Sequence, residues 1–283
     1  MTIVLDGKKI AEEIQRELHE EMKDWKKCGK RLPKLAVIIV GDHTASQVYV
    51  NNKENAAKYI GFHSIVKEFP KDITEEKLLC EIDKLNQDST VDGILVQLPL
   101  PLHMDEERVL VSIGPEKDVD GFHPLNMGHL LVGHPEKLPC TPYGIMTLLD
   151  RYQIDLEGKH AVIVGRSNIV GKPMSQLLLH QNATVTVTHS KTKNLKEITQ
   201  QADILIVAIG QCEMITADFV KDGAVVVDVG MNRNSEGKLV GDVAYDDVFP
   251  KASFITPVPG GVGPMTITML MEQTINNARI GDR

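Results

Sequence analysis

HAVIVGRSNIVGKP, residues 160–173, opens on a short β-branched run and stops at Gly165, then turns and closes on Gly171 and Pro173. HAVIVG (160–165) reads as a short β-branched strand, and the pattern resumes as a helix around Met174–His180. A strand, a glycine turn and a helix in that order form a βα unit. Backbone N–H groups at the helix start of such a unit can meet an anion such as a pyrophosphate. The turn departs from G-x-G-x-x-G, because Ser167 stands where the second glycine belongs. The glycines alone therefore leave two readings open, a phosphate-binding turn or a plain βα turn.

Downstream, ATVTVTHS (183–190), ADILIVAIG (202–210) and AVVVDVG (224–230) repeat the short apolar strand. Strands alternating with helices imply a mostly parallel sheet covered on both faces. The second of these strands ends in His189-Ser190-Lys191-Thr192-Lys193. Folds that bind NAD carry an Asp or Glu near this point for the ribose 2′-hydroxyl. Here there are hydroxyls and positive charge instead. With Arg166 nearby, that suits a 2′-phosphate and favours NADP. Lys191 and Lys193 also fit a solvated loop face, the common fate of surface lysines. A last helix, from about Thr266 to Ala278, follows the loop TPVPGGVGP (256–264).

Upstream, apolar positions Ile10, Ile14, Leu18, Met22 and Trp25 predict a helix from Gly7 to about Cys28 that faces a core. LAVIIVG (35–41), SIVKEF (64–69) and DGILVQ (92–97) read as strands, with helices between them. Between Pro99 and Pro142 the chain is rich in Pro, Gly and Asp, which predicts loop and, beside a sheet, the rim of a site. A helix around Tyr143–Tyr152 connects the two halves.

Composition sets the remaining limits. The chain has 283 residues, enough for one large domain or two ordinary ones. Lys and Arg number 31 against 39 Asp and Glu, and the net charge of −8 argues against a nucleic-acid or anionic-membrane partner. Aromatic residues make up 4%, too few for base-stacking platforms. Cys28, Cys80, Cys140 and Cys212 are widely spaced, with no C-x-x-C, and read as reduced, mostly buried thiols of a cytosolic protein. No metal site is expected, since no His stands at zinc spacing. The charged N-terminal pattern does not read as a signal peptide, and no apolar stretch approaches eighteen residues.

Three places carry candidate chemistry. In QVYVNNKENAAKYIG (47–61), Tyr49 and Lys53 share one stripe of a helix. The spacing fits a proton-handling pair, but on its own a tyrosine ring packed on a lysine stem is the commoner outcome. Gln97 ends an apolar strand, where parallel sheets bind ligands, though a polar strand end is the plainer reading. KDVDG (117–121) sets Asp118 and Asp120 in a loop, where Asx turns are the plainer reading.

Taken in order, VYVNNK (48–53), VDGILVQLPLP (91–101), PEKDVDGFHPLN (115–126), PCTPYG (139–144), VGRSNIVGKP (164–173) and TPVPGGVGPMT (256–266) resemble the bifunctional methylenetetrahydrofolate dehydrogenase/methenyltetrahydrofolate cyclohydrolases over essentially the whole chain. Thr44 and Met231 are small departures from that pattern. The resemblance implies an α/β fold, with an N-terminal α/β substrate domain, a Rossmann-type NADP-binding domain and an active site in the cleft between them. The expected boundaries are 1–140 for the substrate domain, with a C-terminal helix 266–283 returning to it, and 141–265 for the nucleotide domain. It implies NADP-dependent oxidation of 5,10-methylenetetrahydrofolate, hydrolysis of the methenyl product to 10-formyltetrahydrofolate, and a homodimer. Lys53 would handle the proton, Gln97 would hold its ammonium, Tyr49 would stack on the pterin, and Asp120 would accept from pterin N–H groups. Val96, Leu98, Pro259, Gly260 and Gly261 would line the folate. Gly165, Arg166, Ser167, Ser190 and Met231 would hold the cofactor. A shikimate- or amino-acid-dehydrogenase relative and a non-catalytic NADP-binding sensor are disfavoured by Tyr49, Lys53, Gln97 and Asp120 together; a dehydrogenase without the cyclohydrolase step stays open, because the same lysine serves both.

Overall fold

The computed structural model describes residues 1–41 and 44–281, with side chains described for all of these except 44–48 and 281. The side chain of Thr44 and the expected helical residues Asp282 and Arg283 therefore lie outside the described residues. The chain gathers into two compact units. One comprises Glu12–Cys140 with Ile267–Arg283, and the other Thr141–Thr266 with Met1–Ala11.

The chain opens with the two-residue strand β1 (Ile3–Val4) and helix α1 (Gly7–Lys27). The five apolar positions that predict α1 are all buried. Next come β2 (Lys34–Val40), α2 (Thr44–Ile60), β3 (His63–Phe69), α3 (Glu75–Gln87) and β4 (Gly93–Val96). The three longer strands form a parallel sheet of order β3-β2-β4, with Val37 opposite Val66 and Leu95. Thr74 starts α3 by accepting from the Lys77 N–H at 3.4 Å, and Glu75 and Glu76 follow where the helix dipole favours acid. Ile38, Val40, Ile94 and Val96 pack with Leu78, Ile82 and Leu85 of α3 in a single apolar core.

The stretch 99–142, read as loop, holds two short helices, α4 (Glu106–Val111) and α5 (Pro124–Leu131), and the first turn of α6 (Cys140–Arg151). Its punctuating residues are caps. Asp105 accepts from the Arg108 N–H at 3.1 Å, and His123 accepts from the Leu125 N–H at 3.1 Å ahead of Pro124.

The second unit continues through β5 (His160–Val164), α7 (Gly171–His180), β6 (Thr184–Thr188), α8 (Leu195–Thr199), β7 (Ile204–Val207) and β8 (Val225–Asp228). A small antiparallel pair follows, β9 (Asn232–Arg233) with β10 (Leu239–Val240), and then α9 (Tyr245–Val248), β11 (Phe254–Ile255) and α10 (Val262–Gly281). Six strands make one parallel sheet of order β6-β5-β7-β8-β11-β1. Residues 1–11, expected with the substrate domain, cluster here because Ile3 and Val4 pair with Phe254 and Ile255 and extend the sheet edge. Helix α10 begins at Val262 rather than Thr266, since a proline at its third position needs no N–H partner in the first turn. The expectation of mostly buried cysteines fails. Cys28, Cys80 and Cys212 are exposed, at a helix end, on the outer stripe of α3 and in a turn, and Cys140 alone of the four is buried.

Candidate active site

Helix α2 turns Val50, Ala57 and Ile60 into the core, and Lys53 lies on that buried side at 8% exposure. An ammonium held there needs an acceptor. Its Nζ donates to Gln97 Oε1 at 2.8 Å. Gln97 directly follows β4, and its backbone N–H extends the β2–β4 ladder by donating to Ile38 O at 2.8 Å. The Gln97 Nε2 donates to the Leu98 carbonyl at 2.8 Å, which turns the amide oxygen toward the lysine. The acceptor is neutral, so it orients the ammonium without the stabilisation an anion would add. Burial lowers the Lys53 pKa, against an opposing pull from Asp120 and Cys140.

Asp120 shifts the other way. Burial lifts its pKa to about 6, against the Lys53 charge and a hydrogen bond from the Cys140 thiol, with Asp118 adding to the rise. Lysine and aspartate thus both move toward their neutral forms. Burial outweighs their mutual attraction, as expected where water is scarce. Groups perturbed in this manner are suited to proton transfer near neutral pH. Tyr49, one turn before Lys53, is partly buried, and burial raises its phenol pKa, so it stays protonated.

The two acids of KDVDG separate by role. Asp118 is buried and accepts from the Gly121 N–H at 3.0 Å, the His123 N–H at 2.8 Å and Asn126 Nδ2 at 2.9 Å. It closes the turn and leaves Asp120 displayed. Gln273 of α10 secures the segments on either side. Its Nε2 donates to Val119 O at 2.7 Å and Leu138 O at 2.9 Å, and its Oε1 accepts from the Leu138 N–H at 2.8 Å. Cys140 Sγ also donates to Val119 O at 3.1 Å. Gln273 and Cys140 were not singled out from the sequence. Gln273 carries no motif, and Cys140 sits in PCTPYG as an ordinary buried thiol. Val96 points its side chain into the apolar core and Leu98 packs against it, so Val96 offers a ligand only its backbone. Pro259, Gly260 and Gly261 belong to the other unit, in the loop before α10, where Gly260 O accepts from the Lys8 N–H at 2.8 Å.

In that second unit the strand order reverses at β5, with β6 on one side and β7 on the other. Ligands of open parallel sheets bind beyond the carboxyl ends of strands at such a reversal. A pocket of about 280 Å³ lies there, lined among others by Gly165, Arg166, His189, Ser190, Ile209 and Gln211. Among the described residues, no Asp or Glu lines it. Gly165 has φ +130°, and a Cβ on it would stand 2.3 Å from Ala208 O. A Cβ on Gly171 would stand 2.3 Å from Gly165 O, so the helix start packs directly on the turn. Ser167 Oγ accepts from the Val170 and Gly171 N–H groups at 3.1 and 3.3 Å, so those two donors are turned to Ser167. Lys191 and Lys193 are exposed and outside the lining, so among the described residues Arg166 is the Lys or Arg side chain that lines the pocket. Met231, after β8, is 47% exposed and also outside the lining. A guanidinium, a hydroxyl and no carboxylate fit the 2′-phosphate of NADP.

A buried lysine–glutamine–aspartate group in one unit and an NADP-fitting strand-end pocket in another define a dehydrogenase with separate substrate and nucleotide modules. The comparisons narrow this. Residues 5–120 match the catalytic domain model of tetrahydrofolate dehydrogenase/cyclohydrolase, and residues 139–281 match its NAD(P)-binding domain model. The chain belongs to the tetrahydrofolate dehydrogenase/cyclohydrolase family. It is 60% identical to the bifunctional protein FolD of Enterococcus faecalis over 279 residues, 99% of each chain. A crystal structure of the FolD methylenetetrahydrofolate dehydrogenase/cyclohydrolase from Campylobacter jejuni superposes with a TM-score of 0.97 at 52% identity over 99% of each chain. The Trypanosoma brucei methylenetetrahydrofolate dehydrogenase-cyclohydrolase, solved with NADP and an inhibitor, gives 0.95 at 39% identity, covering 100% of this chain and 99% of that one.

Proposed function

We propose that this protein oxidises 5,10-methylenetetrahydrofolate to the 5,10-methenyl form with NADP and hydrolyses that product to 10-formyltetrahydrofolate. The observation that carries the reading is the buried Lys53 ammonium held by the neutral Gln97 oxygen, with the Asp120 carboxyl in its field. NADP, when bound, supplies the oxidant for the first reaction. Arg166 and Ser190, which line the pocket, would hold its 2′-phosphate, and the Gly165 turn would let backbone approach it.

In hydrolysis, water adds to the methenyl carbon and loses one proton; the bond from that carbon to N5 then breaks as the added hydroxyl becomes the formyl oxygen and its proton passes to N5. Lys53 in its neutral form accepts the proton lost from water, and burial, which lowers its pKa, favours that form. Gln97 keeps Nζ at the one-carbon unit. The Asp120 carboxylate accepts from adjacent pterin N–H donors, a match for its two oxygens. Tyr49 stacks on the pterin.

The test is one assay that follows methenyltetrahydrofolate appearing and decaying by absorbance, with NADP or NAD. Methenyl should accumulate, then decay faster than in buffer, with kcat/KM higher for NADP. Absent accumulation refutes the dehydrogenase reading, and decay at the buffer rate refutes the cyclohydrolase reading. Equal or better use of NAD would reduce Arg166 and Ser190 to a solvated turn.

A homodimer is part of the same reading, supported by family membership and by the prevalence of two-fold assemblies. Light scattering at assay concentration should return twice the chain mass of 31.3 kDa; a monomer refutes it. The cytoplasm is the proposed compartment, since all four cysteines are free thiols.

A further inference from the structure

Asp242 follows β10 and is fully buried. Its Oδ2 accepts from the Ile209 N–H at 2.7 Å and the Gly210 N–H at 3.0 Å, and its Oδ1 from the Gln211 N–H at 2.8 Å and Asn232 Nδ2 at 2.8 Å. Three consecutive backbone donors therefore converge on one carboxylate. Those donors form the segment just after β7, and Ile209 and Gln211 line the pocket that Gly165, Arg166 and Ser190 also line. A buried carboxylate held by N–H dipoles is costly to install. Once in place, it fixes backbone more tightly than apolar packing would.

A second carboxylate sets the first. Asp228 Oδ1 accepts from the Gly230 and Asp242 N–H groups, each at 2.9 Å, and its Oδ2 from the Val243 N–H at 2.9 Å. The fit leaves no space. A Cβ on Gly230 would stand 2.3 Å from Asp242 Cγ, and one on Gly241 1.8 Å from Asp228 Oδ2. The VDVG and GDV stretches are thus interlocked, with Asp242 reaching from one edge of this arrangement to the pocket wall.

We propose that Asp242 is a positioning residue for the nucleotide cofactor: it holds the Ile209–Gln211 wall of the pocket in the shape that binds NADP, and takes no part in chemistry at Lys53. The proposal rests on the assignment of that pocket to NADP. The experiment replaces Asp242 with Asn, which keeps the shape but puts an amide N–H₂ where one oxygen now accepts. NADP binding to wild type and variant is measured by titration calorimetry in the absence of folate. Cyclohydrolase turnover, a hydrolysis that consumes no oxidant, serves as the folding control, together with the melting temperature.

The expected result is an NADP dissociation constant raised at least tenfold, with cyclohydrolase kcat and KM within about twofold of wild type. Asn232→Ala removes one side-chain donor and leaves the three backbone ones, so its expected loss is smaller, about threefold. Unchanged NADP affinity in a folded Asp242→Asn protein overturns the proposal, and so does an equal loss of cyclohydrolase. Should that variant not fold, Asn232→Ala decides: weakened NADP binding with intact cyclohydrolase supports the proposal, and unchanged binding overturns it. Failure of wild type to bind NADP is a separate outcome. It removes the pocket assignment itself, and the proposal with it.

Discussion

Lys53→Met removes cyclohydrolase activity, with methenyltetrahydrofolate decaying no faster than in buffer. Methionine keeps the apolar stem that packs within α2 and deletes only the ammonium that meets Gln97 at 2.8 Å. A positioned acid–base group contributes about 10²–10⁴-fold to a rate, and the loss should fall in that range. Oxidation of methylenetetrahydrofolate should fall less, since that step depends mainly on bringing two carbons into register. The variant should melt no lower than wild type. Burial lowers the Lys53 pKa, so the charged form is disfavoured in the fold and its removal relieves that cost. NADP affinity should be unchanged. A folded Lys53→Met protein that hydrolyses methenyltetrahydrofolate at the wild-type rate would leave Tyr49 and Lys53 as helix neighbours and nothing more.

The strands and long helices were legible because their patterns are strong. Five buried positions at helical spacing gave α1, and β-branched runs ending in glycine gave β5 and its neighbours. What was missed is short or non-local. β1 is two residues long and has meaning only through pairing with Phe254 and Ile255 some 250 residues away. α4 and α5 are about two turns long, and the Asp105 cap and the Pro124 first position are residue types that also signal loop. The site shows the same division. Lys53 and Gln97 stand out because polar residues interrupt apolar patterns. Gln273 and Asp242 act through backbone groups far off in sequence, which no local pattern records. The two acids at 118 and 120 look alike in the string KDVDG. Only hydrogen-bond geometry separates the turn-closing one from the one raised to about 6.

That separation makes Asp120→Asn the sharper companion experiment, because its effects on activity and stability should have opposite signs. On the proposed folate reading, loss of the carboxylate leaves one acceptor oxygen in place of two for adjacent pterin donors. A hydrogen bond to a charged group is worth about 1.5–3 kcal/mol, so kcat/KM for both folate reactions should fall roughly 10- to 100-fold. The wild-type KM for folate should rise as pH drops below about 6, where Asp120 takes up its proton, and the variant should lack that rise. Stability runs the other way. The folded pKa lies above the ordinary value of 3.8, so this group favours the folded state below that value, and its contribution is lost as pH rises through about 6. At neutral pH the cost is at most about 3 kcal/mol. It should fall below that bound because the residue keeps some contact with solvent. Asp120→Asn should therefore melt higher than wild type at pH 7, with the gap closing toward pH 4. Thermal melts across that range and folate titrations at pH 5 and pH 7.5 measure both halves. If the variant melts lower at pH 7 and retains folate binding, Asp120 is an Asx-turn residue like Asp118, and the pterin must be held elsewhere.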